Sequence, residues 1–233
     1  MGGRNKTSIK SANNSPLLKI RSLIFGVEDG IISIWGLVLG VSVGTHDSFI
    51  VILAGLSGAI PAALSMAAGD YLSSKSKREM QESMIDETKT NIAHNKTKVL
   101  ENLRRKYLHE GFSAKEINPW MQGLKRSNKL LLRKYEEECG CLPETFENPI
   151  SNALTILVAF LAGSLLLLFP FFLLDLKSAQ YTSLTIAVVS LFVVGALKTK
   201  FTSKRWWASG LEMLFIGISA ALVGFAIGKV LGG

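Results

Sequence analysis

The sequence predicts an all-α membrane protein with five transmembrane helices and a three-helix domain inserted between the second and third of them. The chain has 233 residues, of which 48% are hydrophobic, and its mean hydropathy is +0.31. Five apolar segments are each close to the roughly 20 residues that cross a bilayer core as a helix. A polar stretch with helical patterning separates the second segment from the third. The five segments cover residues 22–44, 49–72, 150–174, 180–198 and 207–231.

Residues 1–21 are predicted to be a basic, disordered arm, because they are polar and rich in Ser, Asn, Lys and Arg. They lack the apolar core and small-residue cleavage site of a secretory signal. The transmembrane part therefore begins with residues 22–72, which hold spans one and two.

The first two spans are joined by residues 45–48 only, a hinge too short for anything but an antiparallel hairpin. Asp29, in the first span, and Asp70, in the second, are therefore expected at the same membrane face. An ionised carboxylate at the centre of a bilayer costs at least about 2.5 kcal/mol, so such a group usually faces a partner, a cavity or an ion. The alternative is that both are interfacial residues that contact headgroups or cap helices.

Residues 73–148 are polar and are predicted to form three helices. The first continues the second span to about residue 91, the second covers 95–110, and the third runs from a capping box at Ser113 to Gly140. The first helix carries three carboxylates on one face, which either bind a divalent cation or are solvated surface charges. These auxiliary carboxylates are Glu79, Glu82 and Asp86.

Residues 149–233 hold spans three to five, and Asn148-Pro149 is a favourable helix start. Lys and Arg are concentrated in the N-terminal arm, in 73–148 and in the link 198–206. This bias places those segments on the cytoplasmic side and the C-terminus on the opposite side.

Small residues recur every four positions in the first two spans and predict close helix contacts, with weak support for contact between two copies. These stripes are Gly36, Gly40 and Gly44, and Gly55, Ala59 and Ala63.

The sequence argues against two broad classes of protein. The net charge of +8 lies beside apolar spans, which indicates membrane orientation and not nucleic-acid binding. No nucleophile–base pair, HExxH or phosphate loop indicates an enzyme. Cys139 and Cys141 are expected to be reduced thiols, since two cysteines without further ligands do not make a zinc site.

Four stretches together resemble the vacuolar iron transporter family, which includes the yeast vacuolar iron and manganese carrier and plant nodulin-like proteins. The resemblance covers about residues 18–231. The stretches are DGIISIWGLVLGV at 29–41, ALSMAAGDYLSSKSKRE at 63–79, NPISNALTILVAFLAG at 148–163, and the whole of 193–232.

The resemblance implies a homodimer in a vacuolar or plasma membrane, with five spans per chain and the dimer axis between the first spans. It also implies export of ferrous iron, and often manganese, from the cytosol in exchange for protons. Its partners are then lipid, protons and the transported Fe²⁺ or Mn²⁺, with no permanently bound cofactor.

The family's metal residues within the membrane correspond to Asp29 and Met66, the Asp of the DG motif and the Met of the SMAAG motif. Asp70 follows SMAAG, where the family usually has Glu, and is expected to admit metal from the cytoplasm. Glu28 and Glu212 are further candidates for proton transfer or metal access. Fe²⁺ accepts a carboxylate together with a thioether, so this ligand pair suits the ion.

The family's cytoplasmic domain gathers metal on glutamates, and this chain departs from that pattern at two of five positions. The corresponding residues are Glu87, Thr90, Lys98, Glu101 and Glu138. Lys98 is one turn from Glu101 and is expected to pair with it. The resemblance thus implies metal ligands at Glu87, Glu101 and Glu138, while Thr90 and Lys98 weaken the expectation.

Two alternatives stay open on the sequence alone. One is a transporter of the same fold that moves another substrate. The other is a non-transporting membrane scaffold whose basic helical domain binds a partner or anionic lipid.

Overall fold

A computed structural model describes residues 15–45, 47–142, 146, 148–201 and 205–232, and this part of the chain forms seven helices and no strand. Five of the helices are long and apolar enough to cross a membrane, which confirms the predicted all-α class and five spans. The helices are α1 Ser15–Gly44, α2 Ser48–His109, α3 Ala114–Arg126, α4 Asn128–Cys139, α5 Pro149–Leu173, α6 Leu176–Lys198 and α7 Trp206–Gly232, with a 3₁₀ turn at Thr199–Phe201.

The helix α1 begins earlier than the sequence predicts. Residues 15–21 belong to it, although the predicted arm extends to residue 21; the earlier residues of that arm lie outside the described part. Pro16 suits a helix start, where the missing N–H is not needed.

The described residues divide into two compact units. One is built from Ser73–Glu147 and is called the polar unit here; the other is built from Pro16–Leu72 and Asn148–Gly233 and is called the apolar unit.

Within the apolar unit, α1 packs against α5 through glycines that let the two backbones meet. A Cβ atom on Gly26 would lie 2.7 Å from the Ala159 Cβ, and one on Gly163 would lie 2.6 Å from the Val27 carbonyl oxygen. The Ser164 hydroxyl, which is buried between the same helices, donates to the Phe160 carbonyl at 2.8 Å. Small residues therefore set the distance between α1 and α5.

The glycine stripe of α1 packs against α7 of the same chain. A Cβ on Gly40 would lie 2.6 Å from the Gly224 carbonyl oxygen, and a Cβ on Gly224 or Gly228 would collide with the backbone of Gly36 or Gly40. The predicted close contact is thus present, and α7 is its partner.

The small-residue stripe of α2 is buried as well. Ala59 and Ala63 are 1% and 0% exposed, in an apolar cluster with Phe160 and Leu168 of α5, and Gly55 contacts the Leu168 side chain. Both predicted stripes are therefore used inside one chain.

The polar unit contains a helix break at Asn95, near a predicted boundary, and a further break at Ser127, where the sequence predicts none. Asn95 has non-helical backbone angles inside α2, near the predicted start of the second helix. The predicted third helix is wrong as a single element, because it divides into α3 and α4 at Ser127. Ser127 is extended, and its hydroxyl accepts a hydrogen bond from the Leu130 N–H at 3.3 Å; this N-cap starts a new helix.

The three predicted helix caps, at Ser113, Gly140 and Asn148, agree with the structure. The Glu116 carboxylate accepts hydrogen bonds from the N–H and hydroxyl groups of Ser113. Gly140 ends α4 with a left-handed backbone, φ +65°, and the Asn148 side chain accepts from two N–H groups at the start of α5.

An ion cluster joins α2 to α4 in the polar unit. The Glu138 carboxylate accepts hydrogen bonds from Lys106 Nζ and from the Tyr107 hydroxyl, and Lys134 Nζ lies 3.3 Å away. The hydrogen bonds from Lys106 and Tyr107 lower the pKa of Glu138 to about 2. Burial, followed by the bond to Glu138, raises the pKa of Tyr107 to about 12.

We expect Gly224→Ala to destabilise the apolar unit by about 1–3 kcal/mol, the usual cost of overpacking, because the new methyl group meets the Gly36 backbone. Gly69→Ala in α2 is the control, since nothing lies within 4 Å of a Cβ there. Thermal unfolding of the purified protein in detergent measures both. Equal melting temperatures for the two variants would refute the packing described for α1 and α7.

We expect Glu138→Gln to destabilise the polar unit by about 1.5–3 kcal/mol, because hydrogen bonds to a charged group contribute in this range. Glu137→Gln is the control: Glu137 pairs with Lys134 at 3.4 Å and its side chain is 48% exposed, so its loss should cost under about 1 kcal/mol. Hydrogen exchange of the α4 amides measures both.

The same cluster predicts a pH dependence. The folded pKa of Glu138, about 2, lies below its ordinary value of 4.5, so its contribution is complete at neutral pH and is lost as the pH falls through this range. Glu138→Gln should remove that part of the acid sensitivity of α4. An unchanged acid profile in the variant would contradict the role assigned to the cluster.

Candidate metal site

The contact between α1 and α2 sets the relative depth of Asp29 and Met66. A Cβ on Gly58 would lie 2.9 Å from Leu37 Cδ1 and 3.8 Å from Ile34 Cδ1. Asp29 precedes Leu37 along α1 by as many residues as Met66 follows Gly58 along α2. Because the two helices are antiparallel and rise about 1.5 Å per residue, Asp29 and Met66 lie at about the same depth.

Asp29 lies on a firmly positioned part of α1. Its side chain is partly buried, and its Oδ1 accepts a hydrogen bond from the Ser33 hydroxyl at 3.2 Å. The next residue, Gly30, contacts the backbone of Phe160 in α5. The carboxylate therefore extends from a helix turn whose backbone is fixed by close packing.

Met66 is partly buried and packs against the apolar cluster that α1, α2 and α5 form. Part of the Met66 side chain therefore contributes to core packing, as most methionine side chains do. Asp70 follows one turn later on α2 and is also partly buried. The two residues lie on the same side of α2 because they are four positions apart.

Glu28 and Glu212 come close together, as does a residue that the sequence analysis did not select. The charged groups that act on the partly buried Glu28 carboxylate are Lys198, Asp29 and Glu212. Lys198 ends α6 and Glu212 lies in the second turn of α7. Two of the other predicted pathway residues, Asp29 and Glu212, and one lysine therefore act electrostatically on Glu28. In the sequence, Lys198 is a cation at the end of an apolar span, and this pattern is equally typical of a lysine that only sets the orientation of the span in the membrane.

The auxiliary carboxylates of the polar unit are ion-paired with neighbours on their own helix. Glu79 pairs with Lys75 at 3.7 Å, Glu82 with Arg78 at 2.8 Å, and Asp86 with Lys89 at 2.8 Å. Each pair is between half-exposed or exposed side chains, so each stabilises the helix only slightly.

The implied metal ligands of the polar unit are Glu87, Glu101 and Glu138. Glu87 is exposed, Glu101 pairs with Arg105 at 2.7 Å, and Glu138 lies in the ion cluster with Lys106 and Tyr107. The expected pair of Lys98 with Glu101 is thus replaced by the pair with Arg105. Within the described ranges, no three His, Cys, Asp or Glu residues are arranged to hold a metal ion.

The polar unit also contains a cavity and two free thiols. A cavity of about 320 Å³ is lined by Glu138, Lys106, Asn91 and Asn102, among others. Cys139 and Cys141 are free thiols, and burial raises the pKa of Cys141 to about 11. A thiol with this pKa is protonated at neutral pH, which makes it a poor metal ligand.

Comparison with known proteins gives a consistent family. The profile of the VIT family matches residues 20–229. Vacuolar iron transporter 1 of rice is 30% identical over 215 residues, 90% of this chain and 84% of the relative. Protein CCC1 of Saccharomyces cerevisiae is 30% identical over 224 residues, 91% of this chain and 69% of the relative. An uncharacterized protein of Methanocaldococcus jannaschii is 27% identical over 212 residues, 90% of this chain and 88% of the relative.

The profile covers most of the chain, and the relatives cover nine tenths of it at about 30% identity. The chain therefore belongs to the VIT family, a family of membrane transporters and not of enzymes.

Proposed function

We propose that this protein carries a divalent metal ion, ferrous iron or manganese, out of the cytosol in exchange for protons. The observation that supports this most directly is the common depth of Asp29 and Met66 on adjacent helices of the apolar unit. Relatives named vacuolar iron transporter supply the substrate class.

The two side chains form a suitable transient site. Fe²⁺ and Mn²⁺ accept carboxylate oxygen, and a thioether favours the softer of the two, Fe²⁺. One anionic and one neutral ligand bind weakly enough to release the ion on the other side. In this proposal the Asp29 carboxylate binds metal in one direction and a proton in the other.

The remaining pathway residues extend this site along the helices. Asp70, one turn from Met66, admits metal from the cytosol. Glu28 and Glu212 supply further carboxylates near Asp29 for metal access or proton transfer. The proposal puts the N-terminus and the polar unit in the cytosol, which the basic flanks of the spans support, with the protein in a vacuolar or plasma membrane.

The proposal includes a homodimer in which a second copy completes the path. Ser33, which hydrogen bonds to Asp29, stands exposed on α1, so the Asp29 face of this helix is only partly covered by its own chain. The glycine stripes already contact α5 and α7, so they are not available for the dimer. The exposed face of α1 that carries Ser33 is the surface left for it.

We expect Asp29→Asn to reduce metal flux at least about tenfold, since the variant loses the charged ligand that also accepts the proton. Purified protein in proteoliposomes, with a metal-quenched dye inside and a pH dye in parallel, measures both fluxes for iron, manganese, zinc and calcium. Metal flux without any proton flux would leave transport standing and remove the exchange. Unchanged flux in Asp29→Asn would exclude this mechanism, whereas absence of metal flux in the wild type would favour the scaffold alternative.

We expect Met66→Leu to raise the KM for Fe²⁺ about tenfold, equivalent to about 1.4 kcal/mol, and to change calcium uptake little, because calcium prefers oxygen ligands. Leu has a similar volume, so the packing is preserved. Met80→Leu is the matched control, since Met80 is 61% exposed in the polar unit. If both variants keep the wild-type KM, Met66 serves only for packing.

A further inference from the structure

Three helices of the apolar unit, α1, α6 and α7, meet at Gly217. A Cβ there would lie 3.3 Å from Trp35 Cζ3 of α1 and would collide with the Leu191 side chain of α6. Trp35 and Leu191 are 2% and 0% exposed, so this contact is a buried reference level for the three helices.

Each of the three helices carries a charged side chain at about the same distance along its axis from this contact. The spacing that places Gly36 beside Ala220 also places Glu28 beside Glu212, because α1 and α7 run in the same direction. The helix α6 runs the opposite way, and Lys198 follows Leu191 by as many residues as Glu28 precedes Trp35. Helical rise therefore brings Glu28, Glu212 and Lys198 to one level.

The electrostatics agree with this geometry. Lys198, Asp29 and Glu212 are the charges that act on Glu28, which gives three carboxylates and one ammonium group around a partly buried position. We call Glu28, Asp29 and Glu212 the acid cluster. Carboxylates that act on one another electrostatically repel, so a cation near them is favoured.

The end of α6 holds Lys198 in place. The Thr199 hydroxyl donates to the Ala196 carbonyl at 2.6 Å, and the Thr199 N–H donates to the carbonyls of the last turn. These bonds fix the backbone at the end of α6, from which the exposed Lys198 side chain extends, and Lys198 is one of the charges that act on Glu28.

We propose that Lys198 is a tethered counter-ion that competes with the metal ion for the acid cluster. With no metal bound, its ammonium group balances the carboxylates; as a divalent ion arrives, the ammonium group is displaced, and its return promotes metal release. This inference rests on the proposed transport function. It makes Lys198 a residue that sets metal affinity and turnover without binding metal.

The simpler role for Lys198 is to complement the negative end of the α6 dipole. That role predicts a loss of stability with no change in metal affinity. The two roles therefore differ in one measurable quantity.

The test is titration of the purified full-length protein with Mn²⁺, followed by electron paramagnetic resonance, together with Mn²⁺ uptake in proteoliposomes. We expect Lys198→Gln to bind Mn²⁺ about tenfold more tightly, because removing a neighbouring positive charge strengthens cation binding. The variant should also have a lower KM and a lower kcat for Mn²⁺ uptake, because the ammonium group no longer promotes release. Lys198→Arg should resemble the wild type, since it keeps the charge. Lys229→Gln, an exposed lysine of α7 far from Glu212 in sequence, should change nothing.

A second variant guards against misfolding. In Lys198→Gln with Glu212→Gln, one carboxylate and the ammonium group are removed together, so Mn²⁺ affinity should return to within about threefold of the wild type. Wild-type affinity in Lys198→Gln, with a lower melting temperature, would overturn the inference and leave a dipole role. Absence of both Mn²⁺ and Fe²⁺ binding and uptake in the wild type would instead overturn the proposed function, and the inference with it.

Discussion

The architecture of the apolar unit depends on backbone contact along α1. Glycines allow α1 to touch α5 at Gly26 and α7 at Gly40, at distances that a side chain would prevent. In a membrane such contact is a main source of helix association, because lipid offers no hydrophobic gain for burying one apolar helix against another. Since α1 meets α2, α5 and α7, its register sets the register of these helices, and with it the relative depth of Glu28, Asp29 and Glu212.

That register explains why carboxylates are tolerated in an apolar sequence. Asp29 receives a hydrogen bond from Ser33, and Lys198 acts electrostatically on Glu28. Each carboxylate therefore has a polar or charged neighbour within the protein. The polar unit follows another logic, in which most carboxylates are paired with Lys or Arg. Glu138 is the clearest case, held by Lys106 and Tyr107 from α2. Of the three metal ligands that the resemblance implies in the polar unit, Glu101 is paired with Arg105 and Glu138 with Lys106.

The sequence predicts best what local chemistry decides. The number of spans, the Asn148 cap and the left-handed Gly140 follow from composition and short-range hydrogen bonds, and all three agree with the structure. The sequence does not predict the break at Ser127, because the apolar stripe continues across this residue. The Ser127 hydroxyl hydrogen bonds to the backbone of the next helix, and a side chain of this type can favour either a cap or a continuous helix. The partner of Gly40 and the neighbours of Lys198 lie far along the chain, so no local pattern identifies them; the glycine spacing shows that something packs there, but not what.

The central claim is that Asp29 and Met66, brought to one depth by two antiparallel helices, bind the transported ion. The most direct measurement is anomalous diffraction from crystals of the full-length protein grown with Fe²⁺. The account predicts an iron peak within bonding distance of an Asp29 carboxylate oxygen and the Met66 sulfur. Iron found only in the polar unit, with both side chains facing lipid, would contradict it.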